Sequence, residues 1–228
     1  MNKNINFFEK NGNIIIEDAY SLDECEKLIK LSHECATDSE LIPIMNIHNY
    51  SDEILLSMSN KKIIHFIESY FSGIAMGLQT EFFFMPPKTK GFTPHQDNTF
   101  VQAKDKTFIS AWIALIDVIS KNGGLNIWPG THKEEEILTV KNISEENKNQ
   151  DPNARIKSTL IPDKYKPISP SIKKGSVMII HSWLVHASND NLSNKNRYAL
   201  LCTYIKKDAS FRSGNYAKRE SFNLIDHE

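Results

Sequence analysis

The chain has 228 residues, enough for one domain with a sizeable buried core. It carries 27 basic and 28 acidic residues, and the net charge of −1 excludes the strongly basic surface of a protein that binds nucleic acid or an anionic membrane. The 3 cysteines lack Cys-x-x-Cys spacing, which favours ordinary buried thiols over a disulfide framework or a zinc ribbon.

The N-terminal segment MNKNINFFEKNGN lacks the apolar stretch of a secretory signal. The most apolar run of the chain, residues 108–119, contains Ser110 and Asp117 and is much shorter than the roughly 20 residues that span a membrane as a helix. We therefore expect a soluble, cytoplasmic protein that acts without a membrane.

Two amphipathic helices are predicted in the first third of the chain. Ser21-Leu-Asp-Glu24 has the form of a capping box, and apolar residues then recur at helical spacing over about four turns, at Leu22, Cys25, Leu28 and Ile29. A second apolar face spans residues 60–71 and should end before Gly73. Residues 1–75 should therefore be mostly helical.

From residue 76 onward, short runs rich in Val, Ile, Phe and Thr are separated by Gly, Pro and Asn, a pattern typical of many short strands. The candidate strands are 78–85, 93–98, 107–117, 124–128, 176–187 and 197–206. They predict a mainly β fold with flanking helices, in which residues 76–206 form a closed core such as a jelly roll or a cupin. Residues 207–228 follow as a C-terminal tail, and residues 1–228 make a single domain.

Residues 131–170 contain the polar runs KEEE, ENKNQDPN and KYKP and are too long for an ordinary connection. The segment is either a lid or binding loop, or a solvated insertion without function. Both interpretations remain open.

The stretch PHQDNTF, residues 94–100, carries the first candidate ligands. On a strand, the side chains of His95 and Asp97 would point to the same face, so that an imidazole and a carboxylate could bind one metal ion. The same three letters also fit a polar surface loop, and the pair alone decides nothing.

A second histidine follows about 90 residues later, in GSVMIIHSWLVHASND. In a regular strand His181 and His186 face opposite ways, so only one of them should point inward. Ser188 shares the side of His186, and Trp183 shares that of His181. Arg197 then opens the apolar strand RYALLCTYI.

Two histidines and one carboxylate on one face of an octahedral ion are typical of non-haem Fe(II) oxygenases. Oxygen activation needs electrons beyond those of one C–H bond, so a chelating co-substrate should supply them. A charged, forked arginine such as Arg197 is suited to the far carboxylate of such a co-substrate.

Three ordered segments carry a resemblance to a known family: HQDNTFVQA, SAWIALIDVISKNGGLNIWPGTHK and GSVMIIHSWLVHASNDNLSNKNRYALL. Over roughly residues 76–206 they resemble the phytanoyl-CoA dioxygenase (PhyH-like) family of Fe(II)- and 2-oxoglutarate-dependent oxygenases. The resemblance implies a double-stranded β-helix core, which is a jelly-roll variant. It also implies that His95, Asp97 and His186 bind Fe(II), that Arg197 binds the distal carboxylate of 2-oxoglutarate, and that O2 reacts there.

The resemblance extends to other co-substrate contacts. Ser188 falls where the family often has a hydroxyl reaching the same carboxylate, and Trp112 where it has an aromatic residue beside the co-substrate. The strand LQTEFFFMPP is similar to that of the ectoine hydroxylases, which implies that Gln79 contacts 2-oxoglutarate. Met85 departs from the pattern, because many relatives have Lys there.

Four further residues are candidates for substrate contact. Alternation along the strand puts Glu81 and Phe83 on the face of Gln79. Asn98 and Phe100 follow the metal pair directly and should line the pocket by position. Aromatic residues in strands are mostly core, so Phe83 and Trp112 could equally be packing residues. His181, by its parity, should have a structural role.

The expected activity is hydroxylation of an unactivated C–H bond of a small molecule, with release of succinate and CO2. Asp97 argues against a halogenase, in which that carboxylate is replaced, whereas desaturation or ring formation would use the same site. The alternative is a jelly-roll module that binds a metal or ligand without turnover. The fold does not identify the substrate.

Overall fold

The structure is a computed structural model and describes residues 3–35, 43–134, 136–142 and 157–225. Its helices are α1 (Lys3–Asn11), α2 (Leu22–Glu34), α3 (Asp52–Ser57), α4 (Lys61–Phe71) and α5 (Asn98–Val101). Its strands are β1 (Asn13–Ile16), β2 (Ile44–Met45), β3 (Ala75–Met85), β4 (Phe108–Ala114), β5 (Leu125–Ile127), β6 (Val140–Asn142), β7 (Lys157–Thr159), β8 (Val177–His181), β9 (His186–Ser188) and β10 (Arg197–Lys206). Short 3₁₀ turns lie at Ile47–Asn49 and Thr131–Glu134.

The two predicted helices are present as α2 and α4. The Ser21 side chain accepts a hydrogen bond from the Glu24 backbone while the Glu24 carboxylate accepts one from the Ser21 backbone, so the predicted capping box is confirmed. Helix α4 ends with Ser72, not Gly73, in the left-handed conformation (φ 49°). Helices α1 and α3 were not predicted, because they are too short to show a clear apolar period.

A six-stranded antiparallel sheet, with strand order β1-β8-β4-β10-β3-β2, forms the major layer. Side chains alternate between its two faces, as along β4, where Ile113 packs in the cluster that also holds the helices, and Trp112 packs in a second cluster on the opposite face. The N-terminal part is joined to this sheet, since β1 pairs with β8. Burying each large apolar side chain in these clusters contributes roughly 1.5–3 kcal/mol.

A small second sheet, β5 paired with β9, lies across the second cluster from the major sheet. Leu125 and Ile127 of β5 meet Trp112 and Leu201 of the major sheet in that cluster. Isolated bridges at His95 and Ile168 extend the small sheet on both sides. Two facing sheets with flanking helices confirm the predicted jelly-roll fold class.

Two of the predicted strands differ from the structure. Residues 93–98 do not form a strand, since only His95 makes a bridge and Asp97 has helical dihedral angles before α5. Residues 176–187 do not form one strand either, because a turn between His181 and His186 splits them into β8 and β9, in different sheets. The parity argument that compared those two histidines along a single strand was therefore wrong.

The insertion predicted at 131–170 is described in part. It contains the 3₁₀ turn at Thr131–Glu134 and the antiparallel strands β6 and β7. Residue 135 and residues 143–156 lie outside the described residues. The choice between a lid and a solvated insertion stays a prediction.

Residues after β10 return to the sheet rather than extending away from it. Phe222 exchanges two backbone hydrogen bonds of 3.0 Å with Gly77 of β3. Cys25 and Cys202 are buried free thiols, as predicted, whereas Cys35 is only half-buried. No helix in the described residues is both long and apolar enough to span a membrane.

Candidate metal centre and its cavity

A backbone bridge brings the two distant histidines of the candidate metal centre together. The His95 N–H donates to the His186 carbonyl at 2.9 Å, and the His186 N–H donates to the His95 carbonyl at 3.0 Å. Asp97 follows two residues later, at the start of α5. The pairing therefore replaces the strand that the sequence predicted around His95, and it still places all three side chains in one group.

The three side chains converge on one point. Asp97 Oδ1 lies 3.6 Å from His95 Nε2 and 3.5 Å from His186 Nε2. One ligand atom from each residue can be chosen so that all lie within 4.8 Å of one another, and within the described residues this is the one group of three or more potential ligands with such spacing. Two imidazole nitrogens and one carboxylate oxygen are a donor set suited to Fe(II).

Hydrogen bonds behind the ligands fix their orientation. The His95 and His186 Nδ1 atoms lie 2.7 Å and 3.2 Å from backbone carbonyls, and because a carbonyl only accepts, each Nδ1 carries the proton. The Nε2 lone pairs therefore face Asp97. The Ser110 hydroxyl donates to Asp97 Oδ2 at 2.5 Å and leaves Oδ1 toward the histidines.

Burial keeps the first histidine neutral. Desolvation, reinforced by the neighbouring His186, lowers the pKa of His95 to about 4. A neutral imidazole has the Nε2 lone pair that a metal ion requires. The residues present thus fit a metal ion of this class.

The centre opens into a cavity of about 440 Å³ between the two sheets. Arg197 lies in its wall and is only 1% exposed. Its Nη2 contacts Met85 Sδ at 3.1 Å, whereas Nε and Nη1 have no hydrogen-bond partner among the described residues. Burial lowers the pKa of Arg197 to about 10, so the guanidinium stays charged at neutral pH.

A buried cation with unused donors costs several kcal/mol unless an anion pairs with it. The rings of Trp112 and Phe83 face the guanidinium of Arg197 at 5.4 Å and 5.9 Å, which stabilises its charge only in part. The wall around Arg197 is therefore built to accept an anionic group.

The other predicted co-substrate residues line the same cavity. Ser188 Oγ accepts a hydrogen bond from the Phe92 backbone at 2.8 Å, which leaves its own hydroxyl proton able to donate. Gln79 is 1% exposed, and its Oε1 accepts from Arg219 Nε at 2.7 Å. Trp112 lies beside the Arg197 side chain.

Of the predicted substrate residues, Glu81, Phe83 and Phe100 line the cavity. Asn98 does not, because its amide both donates to the Ala103 carbonyl at 2.9 Å and accepts from the Ala103 N–H at 2.8 Å. Its amide thus closes the turn after α5. Proximity in sequence to the metal pair was a poor guide there, since α5 turns this side chain away.

Sequence reasoning missed the wall formed by residues 212–219, which we call the C-terminal wall. Arg212, Tyr216 and Arg219 of this segment line the cavity, although the segment was expected to be a tail. Its backbone is tied down by a bond from the Arg212 N–H to the Val101 carbonyl and by Asn46, which donates to the Ala217 carbonyl. The segment has no apolar period, so no sequence signal indicated its place.

Comparison with known proteins adds an independent observation. The family model described as Phytanoyl-CoA dioxygenase (PhyH) matches residues 8–199. A curated relative, the phytanoyl-CoA dioxygenase of Arabidopsis thaliana, is 32% identical over 153 residues, which is 61% of this chain and 50% of the relative. The chain spans about half the length of the first curated relatives that it matches.

Solved structures show the same fold at low identity. EvdO2 from Micromonospora carbonacea var. aurantiaca, complexed with 2-oxoglutarate, is 17% identical with a TM-score of 0.75 and covers 100% of this chain and 94% of its own. The epimerase SnoN, solved with Fe3+, alpha ketoglutarate and nogalamycin RO, is 16% identical with a TM-score of 0.72 and covers 98% and 95%.

Proposed function

The chain belongs to the phytanoyl-CoA dioxygenase (PhyH) family, and on that premise we propose that it is an Fe(II)- and 2-oxoglutarate-dependent oxygenase acting on a small molecule. The observation that carries the proposal is the combination, in one cavity, of the His95, Asp97 and His186 group with the buried guanidinium of Arg197. A metal site alone would also suit a binding module, whereas the buried cation in the same cavity supports a co-substrate with an anionic group.

His95 Nε2, His186 Nε2 and one oxygen of Asp97 would hold the iron. Bound there, Fe(II) supplies the redox chemistry that couples oxidative decarboxylation of 2-oxoglutarate by O2, yielding succinate and CO2, to oxidation of the substrate. The protein itself would orient the two imidazoles through their Nδ1 hydrogen bonds and hold the Asp97 carboxylate through Ser110.

Arg197 would bind the distal carboxylate of 2-oxoglutarate. Its Nε and Nη1 donors are buried and unused within the described residues, so a carboxylate that reaches either donor gains a charge-assisted hydrogen bond without displacing a protein partner. Ser188 lines the same cavity and would donate its hydroxyl proton to that anion.

The cavity walls would exclude water and orient the substrate. Part of the cavity lining is aromatic, namely Phe83, Phe92, Phe100 and Trp112. They favour an apolar body for the substrate and keep competing water away from the reaction. Hydroxylation of a C–H bond is the outcome that we propose, and the epimerase among the structural neighbours illustrates that the fold also supports other outcomes.

The proposal is tested by adding Fe(II) and 2-oxoglutarate to the metal-free protein under anaerobic conditions. We expect a weak visible charge-transfer band, and we expect it to disappear in His186→Ala. His65→Ala, which removes an exposed imidazole on α4, is the matched control and should keep the band. Admission of O2 should then release succinate slowly even without substrate.

Absence of both the band and any succinate would refute the oxygenase assignment. A band without succinate, with or without a panel of small molecules, would instead favour the non-catalytic binding module.

A further inference from the structure

Arg219 of the C-terminal wall is hydrogen-bonded to other parts of the cavity lining and is only 8% exposed. Its Nε donates to Gln79 Oε1 at 2.7 Å, and its Nη1 donates to the carbonyls of Phe100 at 3.3 Å and Ser213 at 3.4 Å. Because these donors are already used, the guanidinium of Arg219 holds protein groups in place, and the side chain of Gln79 is one of them.

The bond to Arg219 decides which end of the Gln79 amide faces which way. A guanidinium can only donate, so the Gln79 atom next to it must be the carbonyl oxygen. The Gln79 NH2 group is then directed away from Arg219, toward Met45 Sδ, which is 4.0 Å away and a weak acceptor. Met45 also lines the cavity, so Gln79 presents hydrogen-bond donors on that side.

The register of the major sheet places Gln79 level with the metal ligands. On the neighbouring strands β4, β10 and β3, Ser110 lies opposite Thr203, and Thr203 lies opposite Gln79. Residues that lie opposite each other put their side chains on the same face of a sheet. Ser110 donates to the ligand Asp97. Gln79 is therefore two strand spacings, roughly 10 Å between Cα atoms, from the residue that holds the ligand carboxylate.

Arg197 lies farther along the same sheet. It pairs with Met85, the last residue of β3, and its guanidinium lies over the ring of Trp112 at 5.4 Å. A co-substrate that reaches from Arg197 to the metal ligands therefore has its distal carboxylate at the Arg197 end and its 2-oxo acid at the level of Gln79. The end of 2-oxoglutarate that Gln79 faces is the end that would chelate the metal.

We propose that Arg219 is a positioning residue for 2-oxoglutarate. By holding the Gln79 carbonyl oxygen, it keeps the Gln79 NH2 group turned toward the 2-oxo acid, whose oxygens accept hydrogen bonds. The inference rests on the proposed function, because it requires the co-substrate at this centre. In the opposite orientation, the Gln79 oxygen would face the oxygens of the 2-oxo acid and repel them. Arg219 would thus favour co-substrate binding without touching the co-substrate.

The test titrates 2-oxoglutarate into the Fe(II)-loaded protein without O2 and records the visible charge-transfer band. Gln79→Ala removes the donor, and we expect 2-oxoglutarate to bind roughly tenfold more weakly. Arg219→Met keeps the length of the side chain but removes every donor, and we expect a loss of roughly threefold or more. In both variants the band should move to shorter wavelength, because the 2-oxo acid loses a hydrogen bond that draws electron density from it.

A double-mutant cycle then shows whether Arg219 acts through Gln79. The variant with both Arg219→Met and Gln79→Ala should bind 2-oxoglutarate as Gln79→Ala does, because Arg219 has no amide left to orient. Arg219→Lys, with a single donor group, should bind it with an affinity between those of the original protein and Arg219→Met. If Arg219→Met does not fold, the cycle is run with Arg219→Lys. Lys218→Gln removes a charge from the exposed neighbour and should leave affinity and band unchanged.

Three results would overturn the inference. The first is an unchanged affinity for 2-oxoglutarate in Gln79→Ala. The second is a loss from the Arg219 substitution that adds in full to the loss from Gln79→Ala. The third is a lower free energy of unfolding in urea for the Arg219 variant while its affinity and band stay as in the original protein, since Arg219 would then have only a structural role. The band of the original protein is recorded first, and its absence would refute the proposed function instead.

Discussion

Two histidine pairs lie close together in this protein, and they have different consequences. The ring centroids of His95 and His186 are 4.3 Å apart, and those of His132 and His181 are 4.8 Å apart. Each pair also has an aspartate nearby. Asp97 lies 3.5–3.6 Å from the first pair, and Asp105 lies 3.7 Å from His181 Nε2.

The pairs differ in where their lone pairs point. In the first, both Nε2 lone pairs face the same carboxylate. In the second, His132 Nε2 donates to the Glu9 carbonyl at 3.0 Å, and His181 Nδ1 accepts from the Trp183 N–H at 3.1 Å. The proton of His181 is therefore on Nε2, and no two lone pairs of this pair converge.

The surroundings differ as well. His181 packs against the rings of Phe8 and Tyr70 and does not line the cavity. The comparison teaches that two histidines and an aspartate in proximity do not make a metal site. Convergent lone pairs and an adjacent cavity are what distinguish the candidate metal centre from the second pair.

The largest change expected from this comparison is in the free energy of unfolding. His181→Ala removes a buried ring between aromatic neighbours, and we expect it to lower the free energy of unfolding of the metal-free protein by roughly 2–4 kcal/mol. Urea unfolding measures this loss. The Fe(II) and 2-oxoglutarate band should persist in the folded variant, and its disappearance would contradict the structural role of His181.

The next effect is on the 2-oxoglutarate requirement. Among the described residues, Arg197 Nε and His132 Nδ1 are both buried without a hydrogen-bond partner. Of these two residues, only Arg197 lines the cavity. We expect Arg197→Ala to raise the 2-oxoglutarate requirement tenfold or more, because a charged hydrogen bond contributes roughly 1.5–3 kcal/mol. Titration of succinate release against 2-oxoglutarate measures this, with His132→Gln as the control. An unchanged requirement in Arg197→Ala would refute its assignment.

An effect of similar size is expected when the Asp97 carboxylate loses the hydrogen bond that orients it. Ser110→Ala removes the donor to Oδ2, and we expect iron affinity to fall by about 10–100-fold, as for other residues that orient metal ligands. Competition with a chelator measures the affinity. Ser176→Ala is the matched control, because the Ser176 hydroxyl is buried without a hydrogen-bond partner among the described residues. Equal affinities in the two variants would show that Ser110 does not orient the carboxylate.

The last effect is a pH dependence of stability, which is modest for each pH unit and accumulates over several. Burial, the largest cause, lowers the pKa of His181 to about 3 and also lowers that of His132. Below about pH 6.5 the unfolded chain binds protons at these histidines that the folded protein does not bind, so stability should fall as the pH drops toward 4. Each histidine contributes at most about 1.4 kcal/mol per pH unit.

His181→Phe keeps a ring in the core but cannot titrate. Urea unfolding of the metal-free protein between pH 7 and pH 4 should give a shallower slope for this variant. Parallel slopes for the variant and the original protein would contradict the buried, neutral state of His181.

Local patterns predicted those parts of the fold that depend on neighbours in sequence. The capping box at Ser21 and the strands predicted at 107–117 and 197–206, observed as β4 and β10, are such cases. The split between β8 and β9 was missed because the intervening residues Ser182 to Val185 are mostly apolar and contain no Gly or Pro. The periodicity of the sequence therefore does not mark the turn.

The candidate site shows the same limit. Ordered motifs indicated the ligand group and Arg197, since residue types and spacing carry that information. Arg219 could not be predicted, because its place depends on a contact with Gln79, 140 residues away in the chain. Asn98 was misplaced for a related reason, since the direction of its side chain is set by α5 and by Ala103.

The backbone bridge between His95 and His186 has a consequence for how the metal is gained and lost. Peptide hydrogen bonds join the two ligand residues, so the geometry of the centre is a property of the folded chain rather than of the ion. In small zinc-binding domains, by contrast, the metal supplies the folding free energy and a chelator unfolds the protein. Here we expect a metal ion to be removed and bound again while the protein stays folded and the two sheets stay in register.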